Sequence, residues 1–373
     1  MIPRINVIDV LDEYPALDRT MTASITANAC YAPLFSDPEV ARLFQAELTL
    51  QRMLEYELAL TKALGKVGAV PSDLASVALL KLSNFVPNID KIGRATAIDG
   101  LPVPEFVRQL KAHVGEELAG VIHTGSTSQD LIDTVLALAL KDLSDLLQTR
   151  IEGLISTLTV LRNTMGNNDL IGRTRMQSAL PITVFDRMTL WLDPLERHLE
   201  RLAELRPRVE LLQLGGPVGT RTSFDGKGDE IAIQLSQHFG LGNPEKAWHA
   251  MRDGIVEYAG WLSLVTGSMG KMGQDVCLMA QQGIDEITLS GGGKSSAMPH
   301  KQNPILAETL VTFARFNSVL VGGMHQASIH EQERSGTAWA LEWMCLPQMA
   351  ETTGKSLELA LQMVDQIEFI GRD

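Results

Sequence analysis

The chain has 373 residues, of which 45% are hydrophobic and 21% charged. This balance excludes collagenous, disordered and low-complexity classes, and the length allows a large core. With 32 Lys and Arg against 45 Asp and Glu, the net charge of −13 disfavours nucleic acid and membrane surfaces as partners. Any bound anion therefore needs cations gathered locally. Cys30, Cys277 and Cys345 are far apart and odd in number, which suits reduced thiols in a cytoplasmic protein. The N-terminal stretch has no apolar signal core, and no run approaches the ~18 apolar residues of a membrane span. A cytoplasmic location is the expectation.

Aromatic residues are only 5%, while Leu, Ala and Met abound, a mixture that favours helices over sheets. Residues 1–28 read as an irregular leader. A helix start follows at Ser36-Asp37-Pro38-Glu39, with a capping residue, a first-turn proline and an early acid. From Val40 to Leu58 apolar residues recur at helical spacing until Gly65 and Gly68. Between Pro104 and Pro181 there is no proline, and 131–165 reads as one helix of about 50 Å. Further long helices are expected over 183–205, 244–289 and 304–330. No alternating strand pattern of useful length is visible. The spacing predicts an all-α fold: a helical N-terminal domain (1–105), a central bundle of very long helices (106–350) and a short C-terminal remnant (351–373). Helices this long outrun one small subunit, so association is expected.

Three polar segments stand out. His123-Thr124-Gly125-Ser126-Thr127-Ser128-Gln129-Asp130 precedes the longest helix. Capping alone explains one or two of these residues, not the whole run. Gly172-Arg173-Thr174-Arg175-Met176-Gln177 carries two arginines one residue apart, able to clamp a carboxylate through bidentate forks, or simply a solvated basic turn. Gly291-Gly292-Gly293-Lys294-Ser295-Ser296-Ala297-Met298-Pro299-His300-Lys301-Gln302-Asn303-Pro304 joins a glycine-rich stretch, suited to exposing backbone N–H groups, to serines, a lysine and an asparagine. No metal-ligand cluster or dinucleotide fingerprint is present, so neither a metal nor a cofactor is expected.

The segment SSAMPHKQNP resembles the signature loop of the fumarase/aspartase superfamily, GSSxMPxKxN. TGSTSQD and GRTRMQSALP resemble the two other conserved regions, in the same order, and the resemblance covers about residues 30–350. Within the superfamily, Gln213-Leu214-Gly215-Gly216-Pro217-Val218-Gly219-Thr220 and His330-Glu331-Gln332-Glu333-Arg334-Ser335, with Trp339, Glu342, Trp343 and Leu346-Pro347, are most similar to the bacterial 3-carboxy-cis,cis-muconate cycloisomerases. Lys294 departs from the pattern, standing where the superfamily has Gly. The chain also ends soon after Leu346-Pro347, so the C-terminal domain of longer members is expected to be missing or vestigial.

The resemblance implies a homotetramer built on a multi-helix core, with each site shared between subunits. It implies addition or elimination β to a carboxylate through an aci-carboxylate dianion. Ser295 would move the α-proton, activated by Lys301 and loop N–H groups, with Lys301 and Asn303 binding the carboxylate. Ser126, Thr127, Ser128, Gln129, Arg173, Thr174, Arg175, Gln177, Ser296, Met298, His300, His123 and Arg334 are the expected substrate contacts. Lyases that expel an amine carry a histidine where Arg175 stands. A departing carboxylate, with a conjugate-acid pKa of about 4, needs no proton donor, so a guanidinium suits it better. The implied reaction is cycloisomerisation of a tricarboxylate, 3-carboxy-cis,cis-muconate, to a lactone in protocatechuate breakdown. The competing readings are a C–N lyase such as adenylosuccinate lyase and a non-catalytic helical oligomer.

Overall fold

A computed structural model of the protein describes residues 24–294, 298 and 302–372. Among them, twelve α-helices and six short strands make up the regular structure. Residues 24–36 belong to a unit of their own, which holds the short helix α1 (Ala32–Phe35). The second unit starts at Asp37.

Asp37 caps α2 (Pro38–Arg42) by accepting from the N–H groups of Glu39 and Val40, with Pro38 in the first turn. The helix expected onward from Val40 is in fact two, because α2 stops at Arg42 and α3 (Ala46–Lys66) begins afresh. Helices α4 (Ser72–Leu82), α5 (Ile89–Asp99) and α6 (Val103–Val114) follow. Met53, Leu60 and Leu64 of α3 join Leu82, Phe106 and Leu110 in one buried cluster.

The longest helix, α7 (Ser128–Met165), has 38 residues. At 1.5 Å per residue it is about 57 Å long. Its core stripe, Leu131, Leu140, Leu147, Ile151, Leu154 and Leu158, is fully buried. Four more long helices complete the bundle: α8 (Val184–Val209) and α12 (Gly336–Asp365) pack on α7, while α10 (Asp253–Met279) packs on α8, α12 and α11 (Ile305–Ala327). The shorter α9 (Gly228–Phe239) packs on α3. Each expected long helix is present, but the third is shorter than 244–289. By length and composition α11 is apolar enough to cross a membrane, contrary to the sequence reading. In this fold it packs between α10 and α12.

The fold is all-α as expected, with a few short strands that no sequence pattern marked. Strands β1 (Asp169–Thr174) and β2 (Gln177–Thr183) form an antiparallel hairpin between α7 and α8. Most of β2 is exposed, so no alternation of buried and exposed positions marks it in the sequence. Strand β3 (Ile287–Leu289) pairs with β6 (Ile367–Ile370), and β4 (Gly293–Lys294) with β5 (Gln302–Asn303). The domain boundaries expected at 105/106 and 350/351 both fall inside helices, α6 and α12. Pro104 lies in the first turn of α6, where its missing N–H is harmless, and Pro347 sits inside α12 without ending it.

Candidate active site

The first polar segment lies at the start of α7 and is held from several sides. Asp130 Oδ2 accepts from Thr127 N at 3.1 Å, the reciprocal half of a helix-capping box. The bland capping reading is therefore correct for Thr127 and Asp130, but Asp130 does more. Its two oxygens also accept from Gly215 N at 2.7 Å, Gly216 N at 2.9 Å and His249 Nε2 at 2.8 Å. A wholly buried carboxylate thus ties the helix start to the glycine-rich 213–220 stretch. Ser126 Oγ donates to Asp130 Oδ2 and shares a hydrogen bond of 3.1 Å with Tyr56 Oη from α3. Burial, then the Asp130 charge, push the Tyr56 hydroxyl well above its ordinary pKa, so it stays protonated. Thr127 and Ser128 are half-buried beside it.

Gln129 is fully buried. Its amide donates to Asp133 Oδ2 and to His249 O, and its oxygen accepts from Arg334 Nε at 3.0 Å. Gln129 was expected to touch substrate; within this chain it holds Arg334. Arg334 also donates to Pro217 O, and no carboxylate pairs with it among the described residues. Beneath lies a second buried layer. Arg252 donates to both oxygens of Asp133 and to both of Glu342, and its guanidinium lies over the Trp248 ring. Gln213 donates to Asp133 and accepts from Trp248 N. The 213–220 and 330–342 stretches are thus the walls of one polar core built around Asp130 and Asp133.

The second segment is the β1–β2 hairpin. The pairing of Thr174 with Gln177 leaves Arg175 and Met176 as a two-residue loop, with φ of 48° and 68°. Both values are positive, as a type I′ turn requires. Arg175 is exposed at this tip, and no partner engages it among the described residues. Arg173 points inward and donates to the buried Glu286 at 2.6 Å. Arg173, Thr174 and Arg175 line a cavity of about 820 Å³ together with Arg187, Lys271 and Glu286. Gln177 is exposed at the start of β2.

Of the third segment, Asn303 lies in β5 opposite Gly293, and Met298 is exposed. Ser295, Ser296, His300 and Lys301 lie outside the described residues. The strands around this segment share an end of the bundle with the hairpin. Gly371 N, just past β6, donates to Glu286 O, and Arg372 N donates to Asp169 O in β1. Arg334 and the 123–130 segment are at the other end of α7. The structure therefore gathers the expected contacts into two groups, His123, Ser126–Gln129 and Arg334 in one, Arg173–Gln177 and Asn303 in the other. Sequence reasoning missed Glu57, Asp130, Asp133, His249 and Arg252 as site-building residues. For Glu57 the legible signal was a charge on a buried helical stripe, in step with Met53, Leu60 and Leu64.

An all-α bundle carrying polar, arginine-bearing clusters at opposite ends of its longest helix defines a class, and the comparisons identify it. A family model described as lyase matches residues 35–316. The chain is 34% identical to the 3-carboxy-cis,cis-muconate cycloisomerase of Acinetobacter baylyi over 91% of its own length and 77% of that protein. It is 30% identical to the N-acetyl-S-(2-succino)cysteine lyase of Enterococcus italicus, over 90% and 74% respectively. A crystal structure of the cycloisomerase from Acinetobacter calcoaceticus superposes with a TM-score of 0.83 at 31% identity, covering 91% of this chain and 78% of that one. A fumarate lyase from Mesorhizobium gives 0.84 at 31%, covering 90% and 76%. The chain belongs to the fumarase/aspartase superfamily of lyases.

Proposed function

We propose that this enzyme is a cycloisomerase interconverting 3-carboxy-cis,cis-muconate and carboxymuconolactone. The observation that carries the reading is Arg175, an exposed cation without a protein partner among the described residues, at the tip of a turn that faces a cationic cavity. A proton donor there serves an amine leaving group. A guanidinium serves an oxygen that arrives and departs as carboxylate, with a conjugate-acid pKa of about 4. In the lactonising direction a substrate carboxylate oxygen adds to the carbon β to a second carboxylate. The electron pair moves into that second group, which becomes an aci-carboxylate dianion, and a proton then arrives at its α-carbon. By resemblance Ser295 carries that proton, while Lys301 and Asn303 hold the dianion through charge-assisted hydrogen bonds. Similarity to the cycloisomerases supports this assignment.

The site is proposed to assemble in a homotetramer. The 123–130 segment and the hairpin flank a helix of 38 residues. Ends about 57 Å apart cannot line one small-molecule site within a chain. A neighbouring subunit running antiparallel brings one chain's hairpin to the other's 123–130 segment.

A second reading has support in the similarity to N-acetyl-S-(2-succino)cysteine lyases. A thiolate leaving group has a conjugate-acid pKa of about 8.5 and depends less on a proton donor than an amine. Purified enzyme should remove the conjugated-diene absorbance of 3-carboxymuconate, and be slower by orders of magnitude on adenylosuccinate and N-acetyl-S-(2-succino)cysteine. Faster turnover of either control would replace the cycloisomerase reading.

A further inference from the structure

Glu57 has a side chain with no exposed surface, on the apolar stripe of α3. A carboxylate there is costly unless it is paired. Its partner is His123, whose Nδ1 lies 2.5 Å from Glu57 Oε1. The carboxylate accepts, so Nδ1 carries the proton. The other nitrogen, Nε2, has no protein partner among the described residues and is not sealed from solvent; the His123 side chain retains 15% of its surface. The backbone is bent to make this contact. His123 has φ of 61° and Gly125 of 78°, and the left-handed region is strained for a non-glycine residue such as His123. Thr124 Oγ1 donates to Gly120 O, and Ser223 Oγ donates to Gly125 O, clamping the turn in this shape. Strain held by clamps, next to the Ser126–Gln129 run, marks a placed side chain.

We propose that Glu57 is a positioning residue that holds His123 as a cation, with its Nε2–H presented to one carboxylate group of the substrate. The proposal rests on the carboxylate-binding reading of this site given above. Three groups set the charge of His123: Glu57 from α3, Asp130 from α7 and Lys111 from α6. Burial disfavours the cation and so does Lys111. Glu57, through charge and hydrogen bond, and Asp130 outweigh them, so the His123 pKa lies above its ordinary value. A neutral imidazole with Nδ1–H bound to Glu57 would turn a lone pair toward the ligand and repel a carboxylate. The cation offers a charge-assisted donor instead.

The test reads His123 directly. Diethyl pyrocarbonate attacks only neutral imidazole, and mass spectrometry of the His123 peptide gives its rate against pH, with citrate as a tricarboxylate probe. In the parent the midpoint should lie above about 6.5 and citrate should slow the reaction near it. In Glu57→Gln the midpoint should fall by about one pH unit and citrate protection should be lost. The alkaline limb of kcat/KM for 3-carboxymuconate should move down by the same amount, and Glu57→Asp should restore part of it. A purely structural pair would lower stability without moving the limb or the protection. A parent midpoint at or below 6.5, or absence of citrate protection in the parent, overturns the proposal even if Glu57→Gln does not fold. So does an unmoved midpoint in a folded Glu57→Gln. If the parent lacks cycloisomerase activity, the functional reading fails, and the ionisation and citrate measurements still decide the role of Glu57.

Discussion

Arg252 is the largest side chain wholly removed from solvent among the described residues. It faces two buried carboxylates, Asp133 and Glu342, with one positive charge. Burial pushes the Glu342 carboxyl above its ordinary pKa against the pull of Arg252, and Asp133 pushes the same way. Such a cluster is poor evidence of net stabilisation, since apolar residues of similar volume can serve as well. Its removal piecemeal is another matter. Arg252→Met leaves two buried carboxylates facing each other, and should lower stability by about 3–5 kcal/mol. The urea midpoint at fixed protein concentration measures this, and a loss under about 1 kcal/mol would mean the carboxylates find other partners. These residues were only partly legible beforehand. Asp130 reads as a helix cap from its place three residues after Thr127, and it is one. That the same carboxylate receives Gly215, Gly216 and His249 depends on three chain segments meeting, which no local spacing announces.

At the scale of elements, the long helices were visible because apolar residues recur at the helical period through stretches without proline. The prolines that do occur inside helices, Pro194, Pro207 and Pro347, interrupt the pattern without breaking the helix, so helix ends were less legible than helix existence. The hairpin was hidden for a different reason. Type I′ turns are recognised by Asn-Gly or Gly-Gly, and here Arg175-Met176 fills both left-handed positions. Met176, with φ of 68° and 70% exposure, gains nothing from burial that offsets its conformational cost. Met176→Gly removes that cost and should stabilise the turn by up to about 1 kcal/mol. Slower amide hydrogen exchange along β1 and β2 is the expected signature. Faster exchange would show that the Met176 side chain makes a contact that holds the turn, such as one across a subunit interface.

At the scale of the whole molecule, the decisive quantity is the length of α7. Its two ends carry different parts of the expected substrate-binding machinery, Arg334 on Gln129 at one end and Arg175 on the hairpin at the other. The surface agrees with association: Leu264 on α10, Phe316 and Val319 on α11 and Met344 on α12 are all exposed in the single chain. Exposed apolar residues on adjacent long helices mark a surface that another subunit can cover. The arrangement makes a quantitative prediction. Arg334→Ala and Arg175→Ala should each inactivate the enzyme, because each removes a cation expected to meet a carboxylate. The two variants are then unfolded together and refolded as a mixture. If every site takes Arg334 from one subunit and Arg175 from another, random assembly leaves roughly a quarter of the sites with both arginines, by the arithmetic of symmetric oligomers. Activity should return to about that fraction of the parent's, while each variant refolded alone stays inactive. If both arginines of a site came from one chain, every site would lack one of them and no activity could return. Native mass spectrometry of the refolded mixture shows whether mixed oligomers formed, so silence from mixed oligomers would refute the shared site and leave the chemistry assigned to Arg175 untouched.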